Sequence, residues 1–201
     1  MPAVTRSQLC RCVITSKDGS SQYAQPSCLC CRGTGMRDKD REKTIDRNQD
    51  RRIPTLEECL DFTGAHCKVK YTSLRVDWRC PACNRTKYEL LRWTMLFPNT
   101  PGRRMGWAVG LHTHHDHRDD QYRYSSKVRP PGFCTRFADT LLCEQCNSAD
   151  ASAKKKLKLP EYFSFSPAEI AMFVTATPNG WHLLDYDIAS RIYAQIVGVS
   201  R

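Results

Sequence analysis

Two Cys-x-x-Cys pairs constrain the fold of this chain more than any other feature of its sequence. They are Cys80-Pro-Ala-Cys83 and Cys143-Glu-Gln-Cys146, with residues 84–142 between them. This spacing lets both thiolates of a pair bind one Zn²⁺ at ~2.3 Å, and two pairs complete a closed tetrahedral site. The sequence therefore predicts a structural zinc bound by these four cysteines. The alternative is that one or both pairs are buried or redox-active thiols.

Cysteine usage also bears on the location of the protein. The chain holds 12 cysteines among 201 residues, yet its N-terminus lacks the apolar run of a signal peptide. No stretch approaches the ~18 consecutive apolar residues of a membrane-spanning helix. We therefore expect a cytoplasmic protein without a membrane partner, in which glutathione keeps thiols reduced unless they bind metal.

A second, weaker cysteine pattern lies near the N-terminus. The run Cys28-Leu-Cys-Cys31-Arg-Gly-Thr-Gly35 fits a zinc knuckle whose glycines let backbone amides approach the sulfurs. Cys10 and Cys12 are the expected other two ligands of a possible second zinc, with Cys30 as an alternative ligand. Three cysteines lack a paired spacing and are expected to be buried structural thiols: Cys59, Cys67 and Cys134.

The charge of the chain is unevenly distributed. The net charge is +10, and residues 80–160 hold 14 Lys or Arg against 7 Asp or Glu. Residues 1–79 hold 15 Lys or Arg against 10 Asp or Glu, and residues 161–201 hold 2 Lys or Arg against 4 Asp or Glu. A positive surface attracts polyanions, of which nucleic acid is the commonest. The middle third is therefore the expected polyanion-binding surface.

Four histidines and an aspartate fall within the run His112-Thr-His-His-Asp-His117. They follow a β-prone stretch, 106–112, so the imidazoles are expected at the end of a strand. Asn147 directly follows Cys146, and zinc binding by the second cysteine pair would fix its amide at the start of the next helix. A histidine-rich tract by itself is also compatible with a second zinc site or a solvated loop.

With these motifs in place, the sequence resembles a known family. The order is a Cys-x-x-Cys pair, a strand ending in the histidine run, a loop, and then Gly-Phe-Cys-Thr-Arg-Phe-Ala-Asp-Thr-Leu-Leu-Cys-Glu-Gln-Cys-Asn. It is similar to the ββα-metal (HNH, His-Me finger) nucleases, and most of all to phage recombination endonucleases and HNH restriction endonucleases with a four-cysteine zinc site. The resemblance covers approximately residues 78–157 and implies a strand hairpin that zinc holds against a helix.

The resemblance also implies roles for individual residues. By position, His115 is the general base, Asn147 is a ligand of a catalytic Mg²⁺ or Mn²⁺, and His117 steadies the scissile phosphate or the metal. The family usually has a metal-binding Asp immediately before the base, where this chain has His114. Imidazole suits Mn²⁺, Fe²⁺, Ni²⁺ or Zn²⁺ better than Mg²⁺. The remaining metal ligand is therefore either His114 or, at a bulged strand end, Asp116.

These residue types suit phosphodiester hydrolysis. A histidine can deprotonate water near neutral pH, and a divalent ion neutralises the charge of the reacting phosphate. The expected function is metal-dependent, site-specific (restriction-type) cleavage of double-stranded DNA by a homodimer, because cutting both strands needs two active sites. Alternatives are a junction or flap nuclease, cleavage of RNA, and a non-catalytic zinc module that binds nucleic acid. Five basic residues are candidates for phosphate contacts, with an ordinary solvated surface as their alternative: Arg118, Arg123, Lys127, Arg129 and Arg136.

The expected architecture is α+β. It has a zinc-knuckle region and charged linker (residues 1–52), a ββα-metal nuclease core (53–160) and a C-terminal helical segment (161–201). Helices are predicted at 56–62, after Ser166 in a Ser-Pro-Ala-Glu capping box, and at 185–197. Residues 69–76 are predicted to be extended, and residues 118–132 to form a long loop. The last helix has an apolar face that belongs either to the core or to a dimer contact: Ile188, Ile192 and Ile196.

Overall fold

The computed structural model describes residues 13–15, 21–23, 39–64 and 67–198. The chain divides into two compact units, 1–43 and 44–201. In the first unit, β1 (Val13–Thr15) pairs antiparallel with β2 (Ser21–Tyr23). The four cysteines predicted to bind a second zinc lie outside the described residues: Cys10, Cys12, Cys28 and Cys31. The alternative ligand, Cys30, also lies outside them.

The described residues form helices and small antiparallel sheets, which confirms the α+β class. The helices are α1 (Lys39–Gln49), α2 (Leu56–Asp61), α3 (Lys68–Ser73), α4 (Lys87–Leu90), α5 (Asp120–Arg123), α6 (Glu144–Leu157), α7 (Pro167–Phe173) and α8 (Tyr186–Ile196). The other strands are β3 (Arg92–Leu96), β4 (Arg104–Ala108), β5 (Leu111–His114), β6 (Thr140–Cys143), β7 (Val174–Thr175) and β8 (Leu183–Leu184). β3 pairs with β4, β5 with β6 and β7 with β8. No helix in the described part of the chain has the length and apolar content that crossing a membrane requires.

Side-chain caps explain where three helices begin. Thr55 accepts a hydrogen bond from the backbone N–H of Glu58, whose carboxylate accepts one from the N–H of Thr55, at the start of α2. Ser166 and Glu169 form the same capping box at α7, and Asp185 caps α8. These caps satisfy amides that the first helical turn leaves unpaired. All three predicted helices are therefore confirmed.

The prediction of an extended segment at 69–76 is wrong, because this stretch begins inside α3. Tyr71 is the buried residue of the helix, and its ring packs edge-on against Phe62 at a centroid distance of 5.2 Å. The hydroxyl of Thr72 donates to the carbonyl of Lys68, one turn earlier. The β-branched residues favour a strand locally, and the tertiary packing of Tyr71 overrides that preference.

The stretch 106–112, predicted as one strand, belongs to two strands with different partners. β4 ends at Ala108 and β5 begins at Leu111. Between them, the carbonyl of Gly110 accepts a hydrogen bond from the backbone N–H of Glu144 (2.8 Å), and a Cβ at Gly110 would lie 2.6 Å from the Cβ of Glu144. Because α6 approaches so closely, position 110 requires glycine, and the chain breaks there into two strands. The alternation of apolar and polar residues does not reveal this break.

The predicted loop at 118–132 is irregular only in its second half. A 3-10 turn (His117–Asp119) leads directly into α5. Residues 124–132 follow without helix or strand and are exposed to solvent. The first half of the loop is therefore a short, ordered helical segment immediately after the histidine run.

β5, β6 and α6 form a continuous unit. Leu111 of β5 lies opposite Cys143 of β6, and His114 lies opposite Thr140. β6 passes directly into α6, because Cys143 is both the last residue of the strand and the N-cap of the helix. The buried side of α6 includes Cys146, Ala149 and Ala153.

The C-terminal helices α7 and α8 pack against α6 and complete the core. Of the apolar face on α8, Ile192 is buried and Ile188 packs against the core, whereas Ile196 is 37% exposed. This face therefore serves mainly to pack α8 within its own chain. The largest apolar side chains at the centre of this region are Phe165, Phe173 and Ile170.

Candidate metal centre and adjoining histidine site

The two Cys-x-x-Cys pairs meet beside the junction of β6 and α6. The four Sγ atoms lie within 4.8 Å of one another, and Cys83 Sγ is 3.8 Å from Cys143 Sγ. Tetrahedral zinc with Zn–S bonds of ~2.3 Å places its sulfurs about 3.8 Å apart. The four thiols are therefore positioned to bind a metal ion, consistent with a structural zinc. We call this set the four-cysteine cluster: Cys80, Cys83, Cys143 and Cys146.

A tight turn presents the first pair to the second. The N–H of Asn84 donates to the carbonyl of Cys80 (2.8 Å), and Asn84 adopts a left-handed conformation with φ of 58°. Asparagine tolerates this conformation better than most residues. The N–H of Cys143 points at Cys80 Sγ (3.5 Å).

A buried cation faces the four-cysteine cluster. Arg85 is 3% exposed, and its guanidinium lies 3.5 Å from Cys83 Sγ and 3.6 Å from Cys143 Sγ. It also donates to the carbonyls of Thr177 (3.1 Å) and Gly180 (3.3 Å). Four thiolates around one Zn²⁺ leave an excess of negative charge, which a buried guanidinium offsets.

His182 lies beside Arg85 at the four-cysteine cluster. Its Nε2 lies 3.3 Å from Cys146 Sγ. Burial lowers the pKa of His182, which favours the neutral ring, and because a guanidinium only donates, Nε2 accepts from Nη2 of Arg85 at 3.3 Å. Its Nδ1 is buried and has no hydrogen-bond partner among the described residues.

Arg85→Ala is expected to lower the free energy of unfolding by about 3–5 kcal/mol. The substitution removes the guanidinium that donates hydrogen bonds both to the thiolates of the cluster and to the two backbone carbonyls. The measurement is urea unfolding of the zinc-loaded protein. Arg75→Ala is the matched control, since Arg75 pairs with Asp77 on the surface, where the two side chains are 84% and 63% exposed. The control is expected to change the free energy by less than about 0.5 kcal/mol. Equal losses in both variants would contradict the role of Arg85.

At the end of β5, His114 is buried against α6. It is 1% exposed, and its ring stacks on Phe137 at a centroid distance of 5.2 Å. Its Nε2 lies 2.7 Å from the carbonyl oxygen of Phe165, and its Nδ1 lies 3.2 Å from Oδ1 of Asn147. A carbonyl oxygen only accepts, so Nε2 carries the proton and Nδ1 directs a lone pair at Asn147. The two predicted ligands of a catalytic ion are thus in contact.

Beyond the strand, His115, His117 and Asp120 form a second group, which we call the Asp120 cluster. Asp120 Oδ1 lies 2.7 Å from His115 Nε2, and Oδ2 lies 3.2 Å from His117 Nδ1. The two imidazole rings stack almost parallel, at 9° and a centroid distance of 5.0 Å. Burial and the nearby ammonium of Lys154 lower the pKa of His117, which favours its neutral form. One carboxylate thus positions two histidines.

Asp116, the alternative metal ligand, has a different environment. It is 1% exposed. Its Oδ1 accepts from the N–H of Arg118 (3.1 Å), and its Oδ2 accepts from the N–H of Arg136 (2.8 Å). Because the carboxylate connects two distant parts of the loop, it has a structural role in this arrangement.

Three of the five predicted phosphate-binding residues are paired with carboxylates. Arg123 and Arg129 both bond to the fully buried Asp119, at 2.7 Å and 2.6 Å, and Arg136 pairs with Glu169 at 2.6 Å. Although burial opposes it, hydrogen bonds from the two guanidiniums hold the pKa of Asp119 below its ordinary value. These arginines therefore stabilise the loop. The other two predicted residues lie on the exposed surface: Arg118 and Lys127.

The cysteines without paired spacing differ from one another. The prediction that Cys134 is buried is wrong, because it lies in the irregular, exposed part of the chain before β6. Cys59 and Cys67 are half-buried, and burial raises the pKa of both thiols. The Cys67 thiol donates to the carbonyls of Gly64 and Val109, each at 3.2 Å. The described cysteines are all free thiols, so none forms a disulfide.

Sequence reasoning does not identify three residues that contact these sites. Asp120 follows His117 by three positions, and that spacing, which suits one helical turn, is the local sign of their contact. Arg85 lies two positions after Cys83, where a basic residue is a weak sign of thiolate contact. His182 reaches the cluster from the C-terminal region through tertiary packing, for which the sequence has no local sign.

Comparison with known proteins gives no relative for this chain. No protein-family model matches it, and neither a curated protein nor a solved structure matches it significantly. Any functional conclusion therefore depends on the chemistry of its own residues.

Proposed function

We propose that this chain is a metal-dependent DNA endonuclease of the ββα-metal type, with His115 as the general base. The observation that carries the proposal is the contact of two predicted metal ligands beside the predicted base. His114 Nδ1 lies 3.2 Å from Asn147 Oδ1, and His115 follows His114 at the end of β5. The succession of β5, β6 and α6, with the four-cysteine cluster at the start of the helix, supports the same proposal.

His114 and Asn147 have the chemistry to hold a divalent ion. The imidazole lone pair of His114 and the amide oxygen of Asn147 are both acceptors, as the ligands of a divalent ion must be. When bound there, the ion would neutralise the charge that develops on the phosphate and on the departing oxygen. Because one ligand is an imidazole, Mn²⁺ should support activity better than Mg²⁺.

Asp120 orients His115 for proton transfer. The carboxylate accepts from Nε2 of His115 at 2.7 Å, which leaves the lone pair on Nδ1. A histidine held in this way can take a proton from water at Nδ1, and the carboxylate stabilises the imidazolium that forms. The side chain of His115 is 18% exposed, so water has access to it.

Charge and surface chemistry support double-stranded DNA as the substrate. Residues 90–115 contain no Asp or Glu, and the β3–β4 hairpin within them carries two exposed arginines, Arg103 and Arg104. Met95 and Met105 lie opposite each other on this hairpin and are 44% and 47% exposed. Cations on an apolar hairpin suit contact with a DNA groove and its phosphates. A homodimer would bring two active sites to the two strands.

Cleavage assays test the proposal. The zinc-loaded protein is incubated with supercoiled plasmid, linear duplex, branched DNA and RNA, with Mn²⁺, with Mg²⁺ or with neither ion. We expect discrete fragments from the linear duplex when either ion is present. Cutting confined to branched DNA would indicate a junction or flap nuclease, and cutting confined to RNA a ribonuclease. Salt-sensitive DNA binding without cleavage would contradict the proposal and indicate a non-catalytic module.

Asp120→Asn is expected to lower kcat by about 100-fold with little change in KM. The amide oxygen can still accept from His115, but it cannot stabilise the imidazolium. Steady-state cleavage rates measure the effect, and Asp120→Glu should restore part of kcat. Asp61→Asn, at an exposed carboxylate on α2, is the control and should cut at the wild-type rate. A rise in KM with unchanged kcat would show that Asp120 contributes to DNA binding instead.

A further inference from the structure

The Asp120 cluster has the donor set of a metal site separate from the four-cysteine cluster. Its donor atoms are two imidazole nitrogens and a carboxylate oxygen, all within 4.8 Å of one another. Two histidines and one carboxylate are typical ligands of Zn²⁺, Co²⁺ and other transition-metal ions, and three ligands leave coordination positions open. Mg²⁺ prefers oxygen ligands and is a poor match for this set.

The three side chains are held in place by contacts that require no ion. Asp120 bonds to both imidazoles, and the rings of His115 and His117 stack on each other. The backbone N–H of His117 donates to Ser164 Oγ at 3.1 Å, which fixes this part of the chain against the C-terminal segment. The side chains of His117 and Asp120 are 37% and 32% exposed, so an ion can enter from solvent. Little rearrangement is therefore needed for binding.

We propose that His115, His117 and Asp120 bind a transition-metal ion such as Zn²⁺ or Co²⁺, and that the bound ion switches off His115 as a base. The ion takes the place of the two protons directed at Asp120, one on Nε2 of His115 and one on Nδ1 of His117. Each proton moves to the other nitrogen of its own ring, so both imidazoles stay neutral and no proton is released. Nδ1 of His115 then carries a proton, so it has no lone pair with which to accept a proton from water.

Binding of the ion is independent of whether the chain cuts DNA, whereas the switch rests on the proposed function. Two ions would then act in opposite directions at neighbouring residues. One supports cleavage at His114 and Asn147, and the other stops it at the Asp120 cluster. A nuclease of this kind would be active with Mg²⁺ and inhibited when Zn²⁺ or Co²⁺ is in excess.

Titration of the zinc-loaded full chain with Co²⁺ tests the binding. Visible absorption and equilibrium dialysis should detect one more Co²⁺ in the wild type than in His117→Ala/Asp120→Asn. This Co²⁺ should lack a thiolate-to-metal charge-transfer band, because its ligands are nitrogen and oxygen, and that distinguishes it from Co²⁺ bound by cysteines. The isosteric variant Asp120→Asn alone should weaken this binding at least about tenfold. His112→Ala, at an exposed residue of β5, is the control and should bind as the wild type does.

Equal Co²⁺ binding by the wild type and the double variant would overturn the site. The switch is tested by cleavage in Mg²⁺ with increasing Zn²⁺, where inhibition should follow occupancy of the Asp120 cluster. The remaining activity of Asp120→Asn should require at least about tenfold more Zn²⁺ than the wild type for the same degree of inhibition. Inhibition at the same Zn²⁺ concentration in both proteins would overturn the switch. If Co²⁺ binds as expected and no substrate is cut, the metal site is upheld and the proposed nuclease function fails.

Discussion

Replacing Cys146 with serine is expected to release the ion of the four-cysteine cluster and to lower the melting temperature by roughly 10–20 °C. A serine hydroxyl keeps its proton near neutral pH and does not replace a thiolate as a zinc ligand. Structural zinc contributes at least several kcal/mol to folding, and in a chain of this size each kcal/mol corresponds to about 2–4 °C. The four sulfurs join a turn before α4 to the start of α6, so their separation also releases the buried face of α6.

Zinc content and differential scanning calorimetry measure this effect together. The control is Cys134→Ser, which changes an exposed free thiol outside the cluster and should leave the zinc content and melting temperature unchanged. A Cys146→Ser protein that retains its full zinc content would show that the cluster is not the metal site. A protein that loses zinc and keeps its melting temperature would show that the fold does not depend on the ion.

His115→Ala is expected to reduce the rate of DNA cleavage by about 10²–10⁴-fold, the usual contribution of a general base. Asp120 is 32% exposed and can be hydrated when its partner is removed, so the fold should remain intact. Zinc content and DNA affinity are expected to match those of the wild type. The loss should therefore appear in kcat.

His112→Ala controls for the removal of an imidazole from the same strand. His112 is exposed and is not part of the Asp120 cluster, so its variant should cut at the wild-type rate. Single-turnover cleavage with both variants gives the comparison. If His115→Ala cuts as fast as the wild type, another group must accept the proton from water. If both variants are equally slow, the histidine run contributes to DNA binding as a whole.

Local sequence patterns predict the parts of this fold whose determinants are close together in the chain. The Cys-x-x-Cys spacing predicts that each pair can share an ion, and the structure brings all four sulfurs together. The Ser166 capping box predicts the start of α7 for a similar reason, since its two partners are three positions apart. The resemblance based on the histidine run and Asn147 supplied residue roles, which stay predictions.

Structural features that depend on contacts between residues far apart in the chain could not be predicted from the sequence. Asp119 directly precedes Asp120 in the sequence, yet the fold buries Asp119 completely against Arg129, ten positions later, and leaves Asp120 32% exposed. Candidate DNA contacts therefore cannot be separated from structural arginines by charge alone. In the same way, the break at Gly110 depends on the approach of Glu144, and only the packed helix reveals it.

Because β5 pairs with β6 independently of the exposed segment before β6, the length and sequence of that segment can change while the two strands stay paired. The residues of the proposed active site are positioned by the two strands, by α6 and by the helical segment at 117–123, whereas residues 124–128 are exposed and irregular. Because both ends of this segment are fixed by the surrounding structure, its length can change without displacing His114 or Asn147. Insertion of an unrelated peptide at this point would give the same proposed active site a different neighbouring surface.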